Sequence, residues 1–249
     1  MTRYEVIGIS GLPEVHPGDD LPGLIVGAAE GQGTPITSAD LLVVGQKIVS
    51  KAEGRLLRLG DVQPSEIARS LAAGQGRDPR LVEVILRESR RIVRMDRGVL
   101  ITETHHGWVC ANAGVDQSNV DVDTVALLPE DPDRSAQTLR AALRQRWGLD
   151  VAVIIADTFG RPWREGLTNV AIGLSGFAPL RSYLGELDSA GRPLQATIIA
   201  LADELAGAAE PVMGKLDRVP VAIVRGLSLA AGEEGSKSLL RDPARDLFR

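Results

Sequence analysis

Strand-like and helical segments follow one another here without strict βαβ alternation. This predicts a mixed-sheet α/β fold of the α+β kind rather than a TIM barrel or a Rossmann domain. Two further observations support it: the apolar runs are short and β-branched, and the helical segments are amphipathic with recognisable caps. At 249 residues the chain can bury a full core, as one large domain or two interleaved ones. No internal repeat, low-complexity tract or long linker divides it.

Tyr4 to Ile9 reads as a strand, and the Pro- and Gly-rich GLPEVHPGDDLPGL that follows reads as a loop. Leu24 to Ala29 is a short helix. Leu41 to Ser50, β-branched and alternating, reads as one strand feeding the loop KAEG. Pro64 to Leu71 is a short helix capped by Ser65. Pro79 to Arg94 reads as an amphipathic helix, with Asp78 as N-cap and Pro79 at the first helical position. Strands are expected at Val99 to Thr102, around Trp108 to Asn112, and at Val125 to Leu128. Asp133 to Trp147 is a helix closed by Gly148. Val151 to Ala156 is a continuous apolar run of the buried-strand type, and a polar loop with Phe159 and Trp163 follows it. Leu167 to Leu174 fits either a strand or a helix. Leu194 to Ala208 reads as an Ala-rich helix, Val219 to Val224 as a strand, and the charged tail from Gly232 as short helices.

Composition narrows the function. A formal net charge of −5 argues against a general nucleic-acid binder, which needs a basic face to neutralise phosphates. It leaves room for a local basic pocket that receives an anionic small molecule. A single cysteine excludes an internal disulfide and fits a reducing cytoplasm. No basic segment followed by an apolar stretch marks the N-terminus as a secretory signal, and no apolar run is long enough to span a membrane. A cytoplasmic protein is expected.

Two acidic clusters carry the chemistry. Asp157 ends the Val151 to Ala156 run, where open α/β sheets bind ligands at the carboxyl ends of their strands. Thr158, Arg161, Arg164 and Glu165 crowd the two aromatic rings that follow. The alternative for this segment is a solvated loop with a helix-capping Asp-Thr pair. Upstream, TETHHGWVCANAGVDQSNVDVD gathers His105, His106, Cys110, Asp116, Asn119, Asp121 and Asp123. These supply hard oxygen donors of the kind Mg²⁺ and Mn²⁺ prefer, without EF-hand or zinc-site spacing. An Asx-rich turn between strands is the alternative. Cys110 with the two histidines suggests a thiol–imidazole pair, but its apolar context favours a buried structural thiol.

There is no P-loop, no dinucleotide fingerprint and no nucleophile elbow. Three Gly-containing loops remain that can receive phosphate: GLPEVHPGDD, SKAEG with Lys51 and Glu53 at a strand end, and PVMGK from Pro211 to Lys215. With two acidic clusters, these suggest metal-assisted phosphate chemistry.

The segments GLPEVHPGDDL, QKIVSKAEGR, DPRLVEVILRESRRIVR, GVLITETHHGWVCANAGVDQSNV, DTFGRPWREGLTNVAIG and PVMGKLDRVPVAIVRG occur in order along nearly the whole chain. In them the chain resembles the coenzyme F-420-0:L-glutamate ligase family, the γ-glutamyl ligases of deazaflavin biosynthesis. The resemblance implies a two-domain γ-glutamyl ligase fold over residues 1–249, with mixed sheets, two interleaved subdomains and an intertwined homodimer. The chain is then the free-standing form or the N-terminal domain of the fused actinobacterial form, which carries a C-terminal nitroreductase-like domain.

The activity so implied is transfer of the γ-phosphate of GTP to a terminal carboxylate of F-420-0. The acyl phosphate is displaced by the amine of L-glutamate, and further γ-linked glutamates follow. Similarity places ligation of two divalent cations, Mg²⁺ or Mn²⁺, on Asp116, Asp157 and Thr158, with the two aspartates catalytic, and adds K⁺ as a further cation. It places GTP contacts on Leu12, Pro13, Glu14, Val15, Gln46, Lys51, Asn119, Met213 and Gly214. Gln46 stands where some relatives carry serine, and Lys215 where others carry an uncharged or acidic residue.

The physics is consistent with this. Both reactants and the nucleotide are anionic, so cations must bridge their oxygens, and phosphoryl transfer needs positioning and electrostatics rather than a nucleophilic triad. Arg161 and Arg164 suit a phosphodiester or carboxylate, and Trp163 can stack on a deazaflavin or wall the loop. Competing readings are a metal-dependent phosphohydrolase and a non-catalytic deazaflavin-binding or carrier protein.

Overall fold

The computed structural model describes residues 3–246. Its centre is a five-stranded mixed sheet of β1 (Glu5–Ile9), β12 (Val221–Arg225), β2 (Leu41–Gly45), β8 (Ala152–Arg161) and β9 (Arg164–Ser175), in that spatial order. Only β2 and β8 run parallel; the other neighbours are antiparallel. The registers align Ile9, Val221, Val44 and Ile155 in one row across four strands.

Strand alternation sorts the apolar residues between the two faces of this sheet. Leu42, Val44, Val153 and Ile155 bury against α1 (Leu21–Gly31) and α5 (Pro132–Trp147). Leu41, Val43, Ile154 and Ala156 bury against α6 (Leu201–Met213). Both faces are covered, so the central strands read as unbroken apolar runs. The parallel β2–β8 pair needs a long crossover, and this one carries a third core of its own. That core holds Leu59, Ala68, Val82, Ile85, Leu100 and Val125. It is built from β3 (Leu56–Arg58), α3 (Glu66–Ala73), α4 (Pro79–Arg87), β4 (Ser89–Asp96), β5 (Val99–Thr104), β6 (Val109–Ala111) and β7 (Thr124–Ala126).

The caps act where the sequence placed them. Ser65 Oγ accepts from the Ala68 N–H at 3.2 Å, and Asp78 Oδ1 accepts from the Arg80 N–H at 2.8 Å. At the far end of α5, Gly148 adopts the left-handed conformation (φ 69°) and its N–H bonds Arg144 O at 3.0 Å. Gly173 of β9 is required by packing, because a Cβ there would collide with the backbone of Pro132 at the start of α5.

Several expected boundaries are corrected. The strand read over Leu41 to Ser50 stops at Gly45, whose N–H bonds Pro220 O at 2.8 Å, and Gln46–Ala52 forms a helix, α2. Tertiary packing overrides the β-branched Ile48 and Val49 there. The helix read to Arg94 ends at Arg87, and Ser89–Asp96 is β4, paired with β5; the RRIVR stretch takes its strand form from that pairing. The polar loop after Asp157 is a two-stranded ribbon, since β8 continues to Arg161 and pairs antiparallel with β9, in regular register from Asp157 to Gly160 and with a register shift before the turn. Its turn is Pro162-Trp163, with Trp163 at φ 58°. Leu167 to Leu174 is accordingly strand. The Ala-rich helix begins at Leu201, not Leu194, after the short hairpin of β10 (Leu180–Ser182) and β11 (Ile198–Ala200), and runs through Pro211 to Met213. The tail forms 3₁₀ turns at Ser236–Leu239 and Pro243–Arg245, and residues 247–249 lie outside the described residues.

Candidate active site at the end of the central sheet

The row Ile9–Val221–Val44–Ile155 marks one end of the sheet, and the candidate residues leave from just beyond it. β1 runs out into the Leu12 to Val15 loop, and β2 turns at Gly45 into α2. The segment from Met213 leads into β12. β2 ends where Gly45 pairs with Ala156, so from Asp157 onward β9 is the only strand hydrogen-bonded to β8 among the described residues. A strand that outruns its partner at the carboxyl end of a parallel pair leaves a crevice there.

Asp157 stands at the first position beyond that pairing. Burial pushes its carboxyl up to about 6; the negative charge of Asp116 adds to the rise, while the Thr158 N–H (2.8 Å), Lys215 and Lys47 oppose it. That effect of Asp116 on Asp157 requires the two to be near in space although they belong to different segments. Asp116 enters from the crossover, where its N–H and C=O bond Ala126 at 3.0 and 2.8 Å in an isolated bridge beside β7. Burial disfavours its ionisation too, but Lys47 and the Ser118 N–H outweigh burial and hold its carboxyl below the usual value. The fold therefore brings two carboxylates within each other's electrostatic reach, with their ionisation shifted in opposite directions, a common feature of functional sites.

Lys47 was not among the residues expected from sequence. Its Nζ lies 2.8 Å from Asp116 Oδ2, 2.8 Å from Ser118 O and 2.6 Å from Ser118 Oγ. Ser118 in turn donates from N–H and Oγ to Asp116 at 2.7 and 2.9 Å. The signal was hidden because QKIVS reads as strand, and only its helical form directs Lys47 at the acidic loop. Asn119 follows, exposed, with left-handed backbone (φ 55°).

Thr158 adjoins Asp157 but by strand alternation its side chain leaves the opposite face. Its hydroxyl donates to Asn169 Oδ1 and accepts from Lys215 Nζ, both at 2.8 Å. The PVMGK segment is thereby brought to the same strand position. Met213 is the buried last residue of α6, and Gly214 takes a backbone conformation (φ 58°, ψ −177°) that is essentially reserved for glycine.

The remaining nucleotide candidates lie along α2 and the first loop. Lys51 occupies the last turn of α2, not a strand end, and its buried ammonium pairs with the exposed Glu14 carboxylate. This joins α2 to the loop in which Leu12 is partly buried, Pro13 exposed and Val15 buried. Gln46, at the start of α2, is buried and accepts from Ser50 Oγ at 2.8 Å. Asp20 of the first loop is committed to Arg146 at 2.5 and 2.6 Å. Arg161, Trp163 and Arg164 stand at the tip of the ribbon, with Trp163 80% exposed. No thiol–imidazole pair forms among the described residues. Cys110 is buried, burial and Asp157 pushing its thiol up to about 12, while His105 and His106 bond backbone carbonyls through Nε2.

Among the described residues no three His, Cys, Asp or Glu side chains gather as a metal cage. The donor set at Asp116 and Asp157 is all oxygen and provides two carboxylates. That suits a hard divalent cation of the Mg²⁺ type, which takes one or two carboxylates and completes its shell with water and phosphate oxygens. The residues thus fit such a metal without the dense cluster that a structural site would need.

Comparison with known proteins agrees in extent with this architecture. The model of the family described as F420-0:Gamma-glutamyl ligase matches residues 10–226. The coenzyme F420:L-glutamate ligase of Methanopyrus kandleri is 49% identical over 241 residues, covering 95% of this chain and 94% of that protein. The protein of the same name from Methanothermobacter thermautotrophicus is 45% identical over 247 residues, covering 98% of each. That of Archaeoglobus fulgidus is 39% identical over 248 residues, covering 99% of this chain and 97% of its own.

Proposed function

The chain belongs to the F420-0:gamma-glutamyl ligase family, and from that premise we propose that it ligates L-glutamate to coenzyme F420-0 at the expense of GTP. The observation that carries the chemistry is the Asp116–Asp157 pair, set at the sheet end where Lys47, Lys51, Lys215 and the Leu12 to Val15 loop also arrive.

In this reading the γ-phosphate of GTP passes to the terminal carboxylate of F420-0, and the amine of glutamate displaces phosphate from the acyl phosphate to form the amide. Asp116 and Asp157 hold divalent Mg²⁺ or Mn²⁺, which when bound neutralises charge growing on the phosphate and carboxylate oxygens. The chain's own part is binding and positioning. Lys51, fixed by Glu14 at the end of α2, offers a point charge to nucleotide phosphate. Lys47 clamps the Asp116–Ser118 turn, so the carboxylate has a fixed direction before any ligand arrives. Arg161 and Arg164 on the projecting ribbon present bidentate donors to the anionic deazaflavin substrate. Repetition on the new side-chain carboxylate extends a γ-linked tail. The active form is a homodimer, and K⁺ is a further cation of the site.

Incubation with F420-0, L-glutamate, Mn²⁺ and either GTP or ATP, followed by mass spectrometry, tests the reading. A product heavier by one or more glutamyl units, formed faster with GTP, is expected. Nucleotide hydrolysis independent of glutamate would identify a phosphohydrolase. Deazaflavin binding indifferent to metal and nucleotide, with no product, would identify a carrier protein.

A further inference from the structure

Lys47 closes a small network with the Asp116–Ser118 turn in which every hydrogen has a place. An ammonium has three hydrogens to donate and accepts nothing. Lys47 Nζ lies 2.8 Å from Asp116 Oδ2, 2.8 Å from Ser118 O and 2.6 Å from Ser118 Oγ. The Ser118 hydroxyl, accepting from Lys47, passes its own hydrogen to Asp116 Oδ2 at 2.9 Å, and the Ser118 N–H donates to Asp116 Oδ1 at 2.7 Å. While this network stands, the ammonium has nothing left to offer a ligand. Lys51 and Lys215 differ, since each makes a single side-chain bond among the described residues.

The same bonds can be counted from the acceptor. An ionised carboxylate offers about four lone-pair sites, two on each oxygen. On Asp116, Oδ2 accepts from Lys47 and from Ser118 Oγ and is full, while Oδ1 accepts from the Ser118 N–H alone and keeps one site. Asp157 is the contrast: among the described residues its carboxylate accepts one bond, from the Thr158 N–H to Oδ1. Asp116 can therefore offer a cation one oxygen and not two.

That difference separates divalent cations. Ca²⁺ gathers about six to eight oxygens and readily grips a carboxylate by both of its own. Mg²⁺ demands an octahedral shell, filled by one or two carboxylates with water and phosphate oxygens. We propose that Lys47 sets the metal preference of the site: by filling Oδ2 it holds Asp116 to single-oxygen ligation and so favours Mg²⁺ over Ca²⁺. The proposal rests on the reading that Asp116 and Asp157 hold a divalent cation. It makes Lys47 a positioning residue that acts through Asp116.

Titration of the intact chain with Mn²⁺, free Mn²⁺ being read by electron paramagnetic resonance, followed by displacement with Mg²⁺ or Ca²⁺, tests this. Asp116→Asn identifies the binding that belongs to the site. Lys47→Met removes the ammonium and keeps the stem, while the main chain of Asp116 stays bonded to Ala126 and its side chain to Ser118. Removing one positive charge tightens all divalent cations alike, so the ratio of Ca²⁺ to Mg²⁺ affinity isolates the coordination. In Lys47→Met that ratio should rise about tenfold over the wild type, the scale of one added ligand contact. Ser118→Ala unblocks the same oxygen without changing charge and takes the place of Lys47→Met if that variant does not fold; the ratio should move in the same direction. An unchanged ratio, with Mn²⁺ still bound through Asp116, overturns the proposal and leaves the metal reading standing. Absence of any Mn²⁺ binding that Asp116→Asn removes overturns the metal reading, and the proposal with it.

Discussion

Lys47 Nζ stands 2.8 Å from Asp116 Oδ2, tying the first turn of α2 to the acidic loop of the crossover. The contact explains how a loop borne by the third core is held against the end of the central sheet. It also keeps Asp116 ionised, whereas its neighbour Asp157 resists ionisation because it is buried, with the charge of Asp116 adding to that effect.

Asp116→Asn and Asp157→Asn should each lower the ligation rate about 10²–10³-fold, the usual loss when a contact to transition-state charge is removed. The double variant should lose far less than the product of the two, because both serve one cluster. Raised Mn²⁺ should partly rescue each single variant. Near-wild-type turnover at modest metal in either one would remove the two-carboxylate site.

The same pair has a stability signature in metal-free buffer. The Asp157 carboxyl is raised to about 6, so its ionisation destabilises the fold above that pH, and stability is regained as pH falls through 6 toward the ordinary carboxylate range. Asp157→Asn should therefore raise Tm at pH 7.5 with chelator present, and the gain should shrink by pH 5. A Tm difference independent of pH contradicts this.

Lys51→Ala should weaken GTP binding about tenfold or more and leave F420-0 binding nearly unchanged, since Lys51 faces the Glu14 loop at the end of α2. Glu14→Gln frees the ammonium and should have the smaller effect. Separate titrations of the two ligands decide it; selective loss of deazaflavin affinity is the contrary result.

Asp40 ends the approach to β2 with its side chain fully buried, and Arg225 of β12 donates to it at 2.8 and 2.7 Å. Burial opposes the charge, yet Arg225 and the Thr37 N–H prevail and hold the carboxyl below its usual value. Its contribution is present above the unfolded carboxylate value and disappears as pH falls through the lower folded one. Asp40→Asn should cost about 3 kcal/mol at pH 7, the low end for a broken buried pair because Arg225 keeps some solvent. In urea titrations from pH 7 to pH 3, the gap between the two proteins should close at the acid end.

Leu184, Leu187 and Ile198 around the β10–β11 hairpin are exposed, as are Trp163 and Leu167 on the ribbon. Apolar side chains on two projecting elements suit burial against a second copy. Sedimentation at low micromolar concentration should show a dimer and no folded monomer; a stable active monomer refutes it.

Local chemistry alone determined much of this protein. The buried strands at Leu41 and Val151 and the caps at Ser65, Asp78 and Gly148 were legible because apolar runs and capping side chains act over a few residues, and Asp116 and Asp157 stood out as candidates because oxygen donors cluster around them. Tertiary structure decided the rest. QKIVS and RRIVR exchanged their expected states because long-range partners, not propensity, set them: Gly45 is pinned by Pro220, and β4 is held by β5. The aromatic segment became a ribbon because β9 returns along it. The meeting of Asp116 with Asp157, and of Lys47 with both, depends on a crossover that carries its own core back to the sheet end. No local pattern encodes such a contact, since its free energy comes from packing segments distant in sequence.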